Sequence, residues 1–378
     1  MSFVNEFEKH SWSELKTRIY SSSTAQVEHA LYKKGRRNWQ DFLALISPAA
    51  VDYLEPMAQL SQQQTRKCFG KTIQLYVPMY LSNKCANHCI YCGFSIKNRF
   101  KRRSLKDGQI LMEAEALKNQ GHQQLLLVTG ETIKIGVDYV ANALDLLSPL
   151  FSSVSIETQP FEQDEYEYLR AKGLHGVTLY QETYNKERYG AYHLSGNKAN
   201  FNYRLASHDR VGAARVHKIG LGVLLGLEDW RVDSAFAALH LTYLERQYWQ
   251  SRFSVSFPRL RNAEGFKPEN EISDKELLQL ICAYRLFNPF VDLSLSTRES
   301  QHYRDHVFKL GISSMSAGAR TSPGAYSLEN EELEQFEICD ERSASDVATM
   351  LKQSGYDVVW KDWSEAFIGL DNESATGV

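Results

Sequence analysis

The pattern of apolar residues changes at about residue 72. Before that point, apolar side chains recur roughly at helical spacing: Val27, Leu31, Trp39, Phe42 and Leu43. This spacing predicts an N-terminal helical extension over residues 1–70. Pro56 interrupts the last helical stretch and predicts a kink or two shorter helices there. Gly70 predicts the C-terminal end of that stretch, because glycine tolerates a left-handed backbone.

From residue 72 onward, short apolar runs alternate with longer amphipathic stretches. The runs predict strands at 73–80, 124–128, 153–157, 176–181, 219–225, 253–257, 291–295 and 312–316. The intervening stretches predict helices at 107–120, 136–147, 162–172, 199–218, 231–247, 274–287 and 300–310. Eight strands alternating with helices over about 250 residues favour an α/β fold of the TIM-type (β/α)₈ barrel class. A doubly wound open sheet is the structural alternative.

The predicted barrel spans residues 71–320, and the pattern weakens after it. Residues 321–378 contain one more predicted helix, a short apolar segment and the polar end DNESATGV. We therefore expect a C-terminal helical extension that ends in a frayed tail.

Composition and charge exclude several classes of protein. The chain has 378 residues, of which 43% are hydrophobic and 24% charged, with a formal net charge of −3. These values are typical of a globular protein, and a general nucleic-acid binder would usually be strongly basic. No apolar run is long enough to cross a bilayer, and the first residues do not resemble a signal peptide. Six cysteines are too few for a disulfide framework, so we expect a cytoplasmic protein with reduced thiols.

Three of the six cysteines lie within eight positions directly after the first predicted strand. Cys85, Cys89 and Cys92 have the spacing C-x3-C-x2-C. Three thiolates on one loop can each bind one iron of a [4Fe–4S] cluster and leave the fourth iron open to a small molecule. The alternative is a structural zinc ion with His88 or a distant residue as fourth ligand. The scattered Cys68, Cys282 and Cys339 are predicted to be inert.

Further polar and small residues follow the ends of other predicted strands. Tyr91 places an aromatic ring beside the cysteine loop. The second strand ends in Thr129-Gly130-Glu131, where backbone carbonyls and a carboxylate could receive an ammonium group. Gly222 and Gly226 on the fifth strand would allow a flat ligand to approach the backbone. Each motif alone is weak, but their order along the strand ends strengthens the prediction of one site.

In this order the motifs resemble those of the radical S-adenosylmethionine enzymes. The stretches LYVPMYLSNKCANHCIYCGFS, SIETQP, YQETYN, STRES and SMSAGARTSPGAY look like the biotin- and thiamine-synthesis branch of that family, and most like its tyrosine lyases. The resemblance covers about residues 50–365. It implies a [4Fe–4S] cluster on Cys85, Cys89 and Cys92, with S-adenosylmethionine as a co-substrate bound to the open iron. One electron would then release a 5′-deoxyadenosyl radical.

Two kinds of tyrosine lyase share this chemistry. The lyase that matures [FeFe]-hydrogenase carries a second cluster on a C-terminal cysteine motif, whereas the C-terminal region here has only Cys339. This difference favours the lyase of thiamine thiazole synthesis. The implied reaction cleaves the Cα–Cβ bond of L-tyrosine to 2-iminoacetate and 4-cresol, and S-adenosylmethionine gives 5′-deoxyadenosine and methionine. A related enzyme acting on another amino acid and a maturase-like lyase without the second cluster are the alternatives.

The resemblance also implies roles for individual residues toward S-adenosylmethionine. Tyr91 would pack on the adenine, and Glu131 would accept the methionine ammonium together with the strand end at Thr129 and Gly130. Glu182 matches a position that contacts the ribose. Arg204 matches an arginine that reaches the cofactor, although it could equally be a helix-surface residue. Three further residues are predicted on the cofactor side: Glu157, Gly222 and Gly226. Glu157 points into the same open end of the barrel and has no assigned role.

Arg298, at the end of the seventh strand, lies where the resemblance places the carboxylate of the substrate. A guanidinium group binds a carboxylate through two hydrogen bonds. Ser316, at the end of the eighth strand, could add a hydroxyl donor. The alternative for Arg298 is an ion pair with Glu299. Tyr180, Gln181 and several histidines remain open as partners of the tyrosine phenol.

The implied partners follow from the reaction and from one basic segment. Because 2-iminoacetate hydrolyses readily, prompt transfer to thiazole synthase is expected. The basic run from Lys97 to Arg103 is interpreted as a docking patch for an acidic flavodoxin or ferredoxin. A solvated face and an RNA-binding surface are its alternatives.

Overall fold

Eight parallel strands form a closed barrel in the computed structural model, which describes residues 2–260, 268, 270–328 and 334–362. The strands are β1 (Thr72–Ser82), β2 (Gln124–Thr129), β3 (Ser153–Glu157), β4 (Leu174–Thr178), β5 (Lys218–Gly222), β6 (Arg252–Ser256), β7 (Asp292–Leu295) and β8 (Ser314–Ser316). Each pairs with its neighbours, and β8 returns to β1 with Gln74 opposite Ser314. The predicted (β/α)₈ barrel is confirmed, and the open-sheet alternative is wrong because the first and last strands are paired.

Helices cover the outside of the barrel and bury the strands on that side. Those after β1 to β3 are Asp107–Asn119, Val137–Leu147 and Gln163–Ala171. Those after β4 are Lys186–Tyr192, Phe201–Leu205 and Ser207–Ala213. Those after β5 to β7 are Trp230–Gln247, Asp274–Phe287 and Gln301–Val307, which continues as a 3₁₀ turn, Phe308–Leu310. Two further 3₁₀ turns are Ile133–Ile135 and Asn197–Ala199.

One helix prediction is wrong. The stretch 199–218 was expected to be a single helix, but it forms two short ones that end at Ala213. Arg215 then adopts a left-handed backbone with φ 56° and redirects the chain into β5. The helix Lys186–Tyr192 was not predicted at all.

The helices before β1 pack on the barrel helices. They are Phe3–Phe7, Trp12–Tyr20, Thr24–Tyr32, Trp39–Leu45, the 3₁₀ turn Pro48–Tyr53 and Leu54–Phe69. The last two bear out the two shorter elements predicted from Pro56, and Gly70 has the expected positive φ of 64°. Phe3 stacks on His240 at 3.8 Å between ring centroids, and the indole nitrogen of Trp39 donates to the Ala235 carbonyl. This segment therefore shares one hydrophobic core with the barrel.

The C-terminal part of the described chain returns to the barrel. The helix Ala344–Gln353 leads into the short strand Asp357–Val359, which pairs in parallel with the first residues of β1. The predicted frayed tail, DNESATGV, lies outside the described residues. Within the described ranges, no helix is both long and apolar enough to cross a membrane.

Candidate active site

A single open cavity at the carboxyl ends of the barrel strands collects most of the predicted site residues. The carboxyl ends of parallel strands meet at one rim, so loops that are distant in sequence face each other there. The cavity holds about 870 Å³ of empty space, including its opening to solvent. Its lining includes Cys85, Cys89, Tyr91, Cys92, Thr129, Gly130, Glu131, Glu157, Glu182, Lys198, Arg204 and Arg298.

The cysteine loop is held to its neighbours by backbone and side-chain hydrogen bonds. The Ala86 amide donates to the Glu131 carbonyl at 2.8 Å, and the Asn87 amide group donates to the Glu131 carboxylate at 2.8 Å. Residues 88–89 pair as a short antiparallel strand with 193–195. The loop is therefore fixed to the end of β2 on one side and to the chain after β4 on the other.

Arg102, in the basic run from Lys97 to Arg103, holds the cysteine loop in place. Its guanidinium donates to four backbone carbonyls, those of Asn83, Phe94, Ser95 and Asn98, at 2.7 to 3.3 Å. A guanidinium presents five donors in a fixed plane, which suits several carbonyls of one curved segment. Arg102 thus has a structural role, whereas Lys97, Arg99 and Lys101 of the same run are exposed.

Two glycines allow the loop to pack this closely. A Cβ on Gly130 would overlap the Lys84 carbonyl and come within 2.9 Å of the Cys85 Cβ. A Cβ on Gly93 would lie 2.8 Å from the carbonyl oxygens of Glu334 and Gln335. Gly130 thus supports the loop that carries the cysteines, and the segment at 334–335 covers the loop.

The three cysteines fit the ligand set of a [4Fe–4S] cluster. Burial raises the pKa of the Cys89 and Cys92 thiols, so that a positive metal centre is needed to hold them as thiolates. In the described part of the chain, no three His, Cys, Asp or Glu side chains converge as ligands of one metal ion. A cubane does not require such convergence, because each cysteine binds a different iron atom.

A network of alternating charges lines the cavity beside the cysteines. Arg204 donates to the Glu131 carboxylate at 2.9 Å and lies 3.8 Å from the Glu182 carboxylate. Lys198 donates to Glu182 at 2.6 Å. Burial lowers the pKa of Lys198, but Glu182 and other nearby acidic groups raise it by more, so its ammonium stays charged. The two carboxylates and the two cations of this network neutralise each other, which charges shielded from water require.

Arg204 belongs to this network and is not a helix-surface residue. Its side chain is buried, and its Nε donates to the Tyr180 carbonyl at 2.7 Å. Glu182 has a left-handed backbone with φ 70°, which is uncommon for a residue with a side chain. Strain of this kind concentrates at functional sites, because the surrounding structure must hold it in place.

Tyr91 has a fixed orientation in the cavity wall. The His193 Nδ1 lies 2.9 Å from the Tyr189 carbonyl and carries the proton of that bond, so His193 Nε2 accepts from the Tyr91 hydroxyl at 2.8 Å. Burial lowers the pKa of His193 to about 2, which keeps the ring neutral. The Lys198 ammonium lies 5.8 Å from the centroid of the Tyr91 ring.

Unused polar groups in the wall fit a bound polar molecule. The buried Thr129 hydroxyl has no hydrogen-bond partner among the described residues. The Glu131 carboxylate accepts from Asn87 and Arg204 and can accept further donors, because a carboxylate offers about four acceptor positions. Both groups lie within the wall that also contains the three cysteines.

Arg298 lines the same cavity from the loop that follows β7. Its guanidinium stacks on the Phe336 ring at 3.3 Å from the centroid, and Phe336 also lines the cavity. Glu299, the alternative partner of Arg298, forms a buried two-bond ion pair with Arg259. The guanidinium also donates to the Arg259 carbonyl at 3.4 Å, so its orientation is fixed from two sides.

Ser316, Gly222 and Gly226 do not line the cavity as described. The Ser316 hydroxyl accepts from the Thr297 amide at 3.1 Å, so it supports the Arg298 loop from below. At Gly222 the space next to the Cα is filled by the Tyr180 ring, because a Cβ would lie 2.6 Å from it. Gly226 has a φ of 117°, which a turn requires. Gly222 thus makes room for the Tyr180 ring, and its contact with a flat ligand stays a prediction.

Several residues of the site were not predicted. Asn87 and Lys198 lie in stretches whose pattern is only polar, and each finds its partner through the barrel rim. Gln335 and Phe336 come from the C-terminal part of the chain, and Gln335 accepts from the Tyr80 hydroxyl at 2.6 Å. Of these four residues, only Asn87 has a local signal in the sequence, because it lies between two cysteines of the loop.

Two family models match this chain. The Radical SAM superfamily matches residues 79–239, and the Biotin and Thiamin Synthesis associated domain matches residues 256–357. The first covers the cysteine loop and the charge network. The second covers β7, β8 and the Arg298 loop.

Two relatives that match nearly the full length of this chain share the same name. The chain is 47% identical over 376 residues to the 2-iminoacetate synthase of Salmonella typhimurium, covering 99% of both chains. It is 46% identical to the 2-iminoacetate synthase of Escherichia coli, covering 97% of this chain and 98% of the relative. The structure of the FeFe-hydrogenase maturase HydG from Carboxydothermus hydrogenoformans superimposes with a TM-score of 0.83 at 29% identity, covering 93% of this chain and 85% of that one.

Proposed function

Because the chain belongs to the 2-iminoacetate synthase family, we propose that it cleaves the Cα–Cβ bond of L-tyrosine to 2-iminoacetate and 4-cresol for the thiazole part of thiamine. The chain is accordingly a radical S-adenosylmethionine lyase. The observation that carries the proposal is the cavity in which the three cysteines, the charge network and Arg298 face one another.

Cys85, Cys89 and Cys92 would hold the [4Fe–4S] cluster, and the wall beside them would hold S-adenosylmethionine. When bound, the cluster and S-adenosylmethionine supply a 5′-deoxyadenosyl radical. Glu131 would bind the methionine ammonium, and Arg204 can turn toward the carboxylate of the same moiety. Tyr91 would lie against the adenine, and Glu182 would contact the ribose. The support for these roles is that all four side chains line the wall that carries the cysteines.

Arg298 would bind the substrate carboxylate. Its guanidinium is oriented by the Phe336 ring and its loop is supported by Ser316, so the side chain loses little further freedom on binding. This assigns Ser316 a positioning role in place of the direct contact expected from the sequence. Gln335 and Phe336 line the cavity together with the barrel strand ends and limit the access of water to it.

The electron donor would be an acidic flavodoxin or ferredoxin. Lys97, Arg99 and Lys101 are exposed and follow the cysteine loop directly, so a negatively charged partner would be steered toward the cluster. Charge reversal of these three residues should slow reduction strongly at low salt and less at high salt. The same reversal should not change the activity measured with dithionite.

Thiazole synthase is the proposed recipient of the product, because 2-iminoacetate hydrolyses in water. The proposed location of both enzymes is the cytoplasm, and all six cysteines are unpaired. Adding thiazole synthase should raise the fraction of 2-iminoacetate that is captured before hydrolysis, relative to an equal amount of an inert protein.

The function is tested by anaerobic reconstitution with iron and sulfide, followed by S-adenosylmethionine, dithionite and tyrosine. We expect 4-cresol and 5′-deoxyadenosine to form in step, with 2-iminoacetate as the product to trap. A control variant is Cys339→Ala, which removes an exposed thiol that is not part of the cavity lining and should leave both products unchanged. Deoxyadenosine without cresol would remove tyrosine as the substrate.

A further inference from the structure

We propose that Glu157 binds the α-ammonium group of the amino acid substrate and accepts one of its protons. This inference rests on the proposed function, because it assigns the substrate side of the same cavity. Nothing in the sequence resemblance gave Glu157 a role.

The position of Glu157 follows from the alternation of side chains along β3. Ser153 and Ser155 face the interior of the barrel, where they line its lower part. Glu157 is two residues further on, so it extends from the same inner face and is the last residue of the strand. Its carboxylate therefore projects from the barrel interior into the floor of the active-site cavity.

Glu157 differs from the other carboxylates of the cavity by its lack of a partner. Glu131 is bonded to Arg204, and Glu182 is bonded to Lys198. Among the described residues, no hydrogen bond or ion pair reaches the Glu157 carboxylate. Glu157 is half-buried, and a carboxylate that is largely shielded from water is costly to keep charged unless a ligand supplies a positive charge.

Arg298 supplies the complement that an amino acid needs. A substrate carboxylate on the Arg298 guanidinium would place the α-ammonium group within the same cavity, one carbon atom away from that carboxylate. A zwitterion is best matched by a cation and an anion that face it together. Arg298 and Glu157 supply such a cation and anion, because both line the cavity.

The electrostatic surroundings allow Glu157 to exchange a proton near neutral pH. Burial raises the pKa of Glu157 to about 7, and the Arg298 guanidinium opposes that rise. The other groups that act on it are Glu182, Lys198, Arg204, Tyr76, Tyr80 and Tyr180. Partial desolvation disfavours both charged forms, so an ammonium beside this carboxylate can convert to a neutral amine beside a carboxylic acid.

The proton step is balanced. One N–H bond of the ammonium breaks, its proton goes to a carboxylate oxygen of Glu157, and the electron pair stays on nitrogen. The substrate then carries a neutral amino group, and Glu157 is neutral. The step requires no oxidant or reductant.

The test compares the reconstituted wild type with Glu157→Gln, and uses Glu167→Gln as the matched control. Glu167 lies on the exposed face of the next helix and accepts only from Gln163, so the control removes the same charge without touching the cavity. Binding is measured by calorimetry with S-adenosylmethionine present and reductant absent, so no turnover occurs. The two ligands are tyrosine and 3-(4-hydroxyphenyl)propionate, which lacks the amino group.

We expect the wild type and Glu167→Gln to bind tyrosine more tightly than 3-(4-hydroxyphenyl)propionate. In Glu157→Gln the ratio of the two affinities should fall by about 10- to 100-fold, which is the usual effect of one charge-assisted hydrogen bond. The rate of 4-cresol formation at low tyrosine should fall below pH about 7 in the wild type, because protonated Glu157 no longer attracts the ammonium. Glu157→Asp keeps the charge and should keep part of the preference, which guards against a glutamine variant that fails to fold.

An unchanged preference for tyrosine in Glu157→Gln would overturn the inference. A wild type that binds tyrosine with the expected preference but forms no 4-cresol would overturn the proposed function and leave the ammonium site standing. The two failures are therefore distinguishable.

Discussion

Replacement of Gly130 by alanine should displace the cysteine loop. The added Cβ would overlap the Lys84 carbonyl and lie 2.9 Å from the Cys85 Cβ, and neither of these is the end of a flexible side chain. The loop must therefore move away from β2. Overpacking of this kind costs about 1–3 kcal/mol of unfolding free energy.

Gly108→Ala is the matched control. Gly108 lies in the first turn of the helix Asp107–Asn119, and a Cβ there has nothing within 4 Å. An alanine at such a position usually stabilises a protein by about 0.4–1 kcal/mol. The two variants should therefore differ by about 1.4–4 kcal/mol in unfolding free energy, although each adds one methyl group.

For a chain of 378 residues, the unfolding entropy is about 0.8 kcal/mol/K near 60 °C, so the two variants should differ by about 2–5 °C in Tm. The assay is differential scanning calorimetry, followed by the iron content after anaerobic reconstitution. We expect Gly130→Ala to retain less iron than Gly108→Ala at equal protein. Equal Tm values together with a full complement of iron in both variants would refute the reasoning.

Three further predictions concern other residues. Arg102→Ala should lose iron after reconstitution while keeping the native circular dichroism, because four carbonyls of the loop lose their donor, and Arg99→Ala should lose none. Arg204→Met should weaken S-adenosylmethionine binding in calorimetry and lower the unfolding free energy by about 3–5 kcal/mol, since the buried Glu131 loses its cation. Burial lowers the pKa of His122 to about 4, so its contribution to stability is lost as pH falls from 6.5 toward 4. We therefore compare the unfolding free energy of His122→Phe with that of the wild type by urea unfolding at two pH values. The difference between the two proteins should shift in favour of the variant by up to about 2 kcal/mol from pH 8 to pH 5.

Local patterns were sufficient to predict the barrel and the cysteine loop. A strand buried on both faces reads as a continuous apolar run, so β2 could be recognised without knowing its neighbours, whereas β1 alternates half-buried and buried residues over most of its length. The three cysteines share one loop, so their spacing alone indicates a common ligand. The barrel closure between β1 and β8 followed from the number of strands rather than from any residue.

The contacts that complete the site depend on pairings across the barrel. Arg204 meets Glu131 across 73 positions of sequence, and Phe336 reaches Arg298 from the C-terminal part of the chain. Nothing near Lys198 indicates that Glu182 will lie 2.6 Å from it. Gly222 illustrates the same limit, since its sequence shows that space is needed but not that a tyrosine ring occupies it.

The charges in the cavity explain how two zwitterions could share one barrel. Glu131 and Arg204 already form a pair, so the methionine moiety of S-adenosylmethionine would exchange partners with them, ammonium to Glu131 and carboxylate to Arg204, without leaving a buried charge alone. Glu157 has no hydrogen bond or ion pair among the described residues, and a substrate ammonium would supply the missing positive charge while Arg298 bound the carboxylate. The cofactor side is therefore balanced before binding, whereas Glu157 gains its partner only with the substrate, so a ligand lacking the ammonium should bind poorly there even if its ring fits.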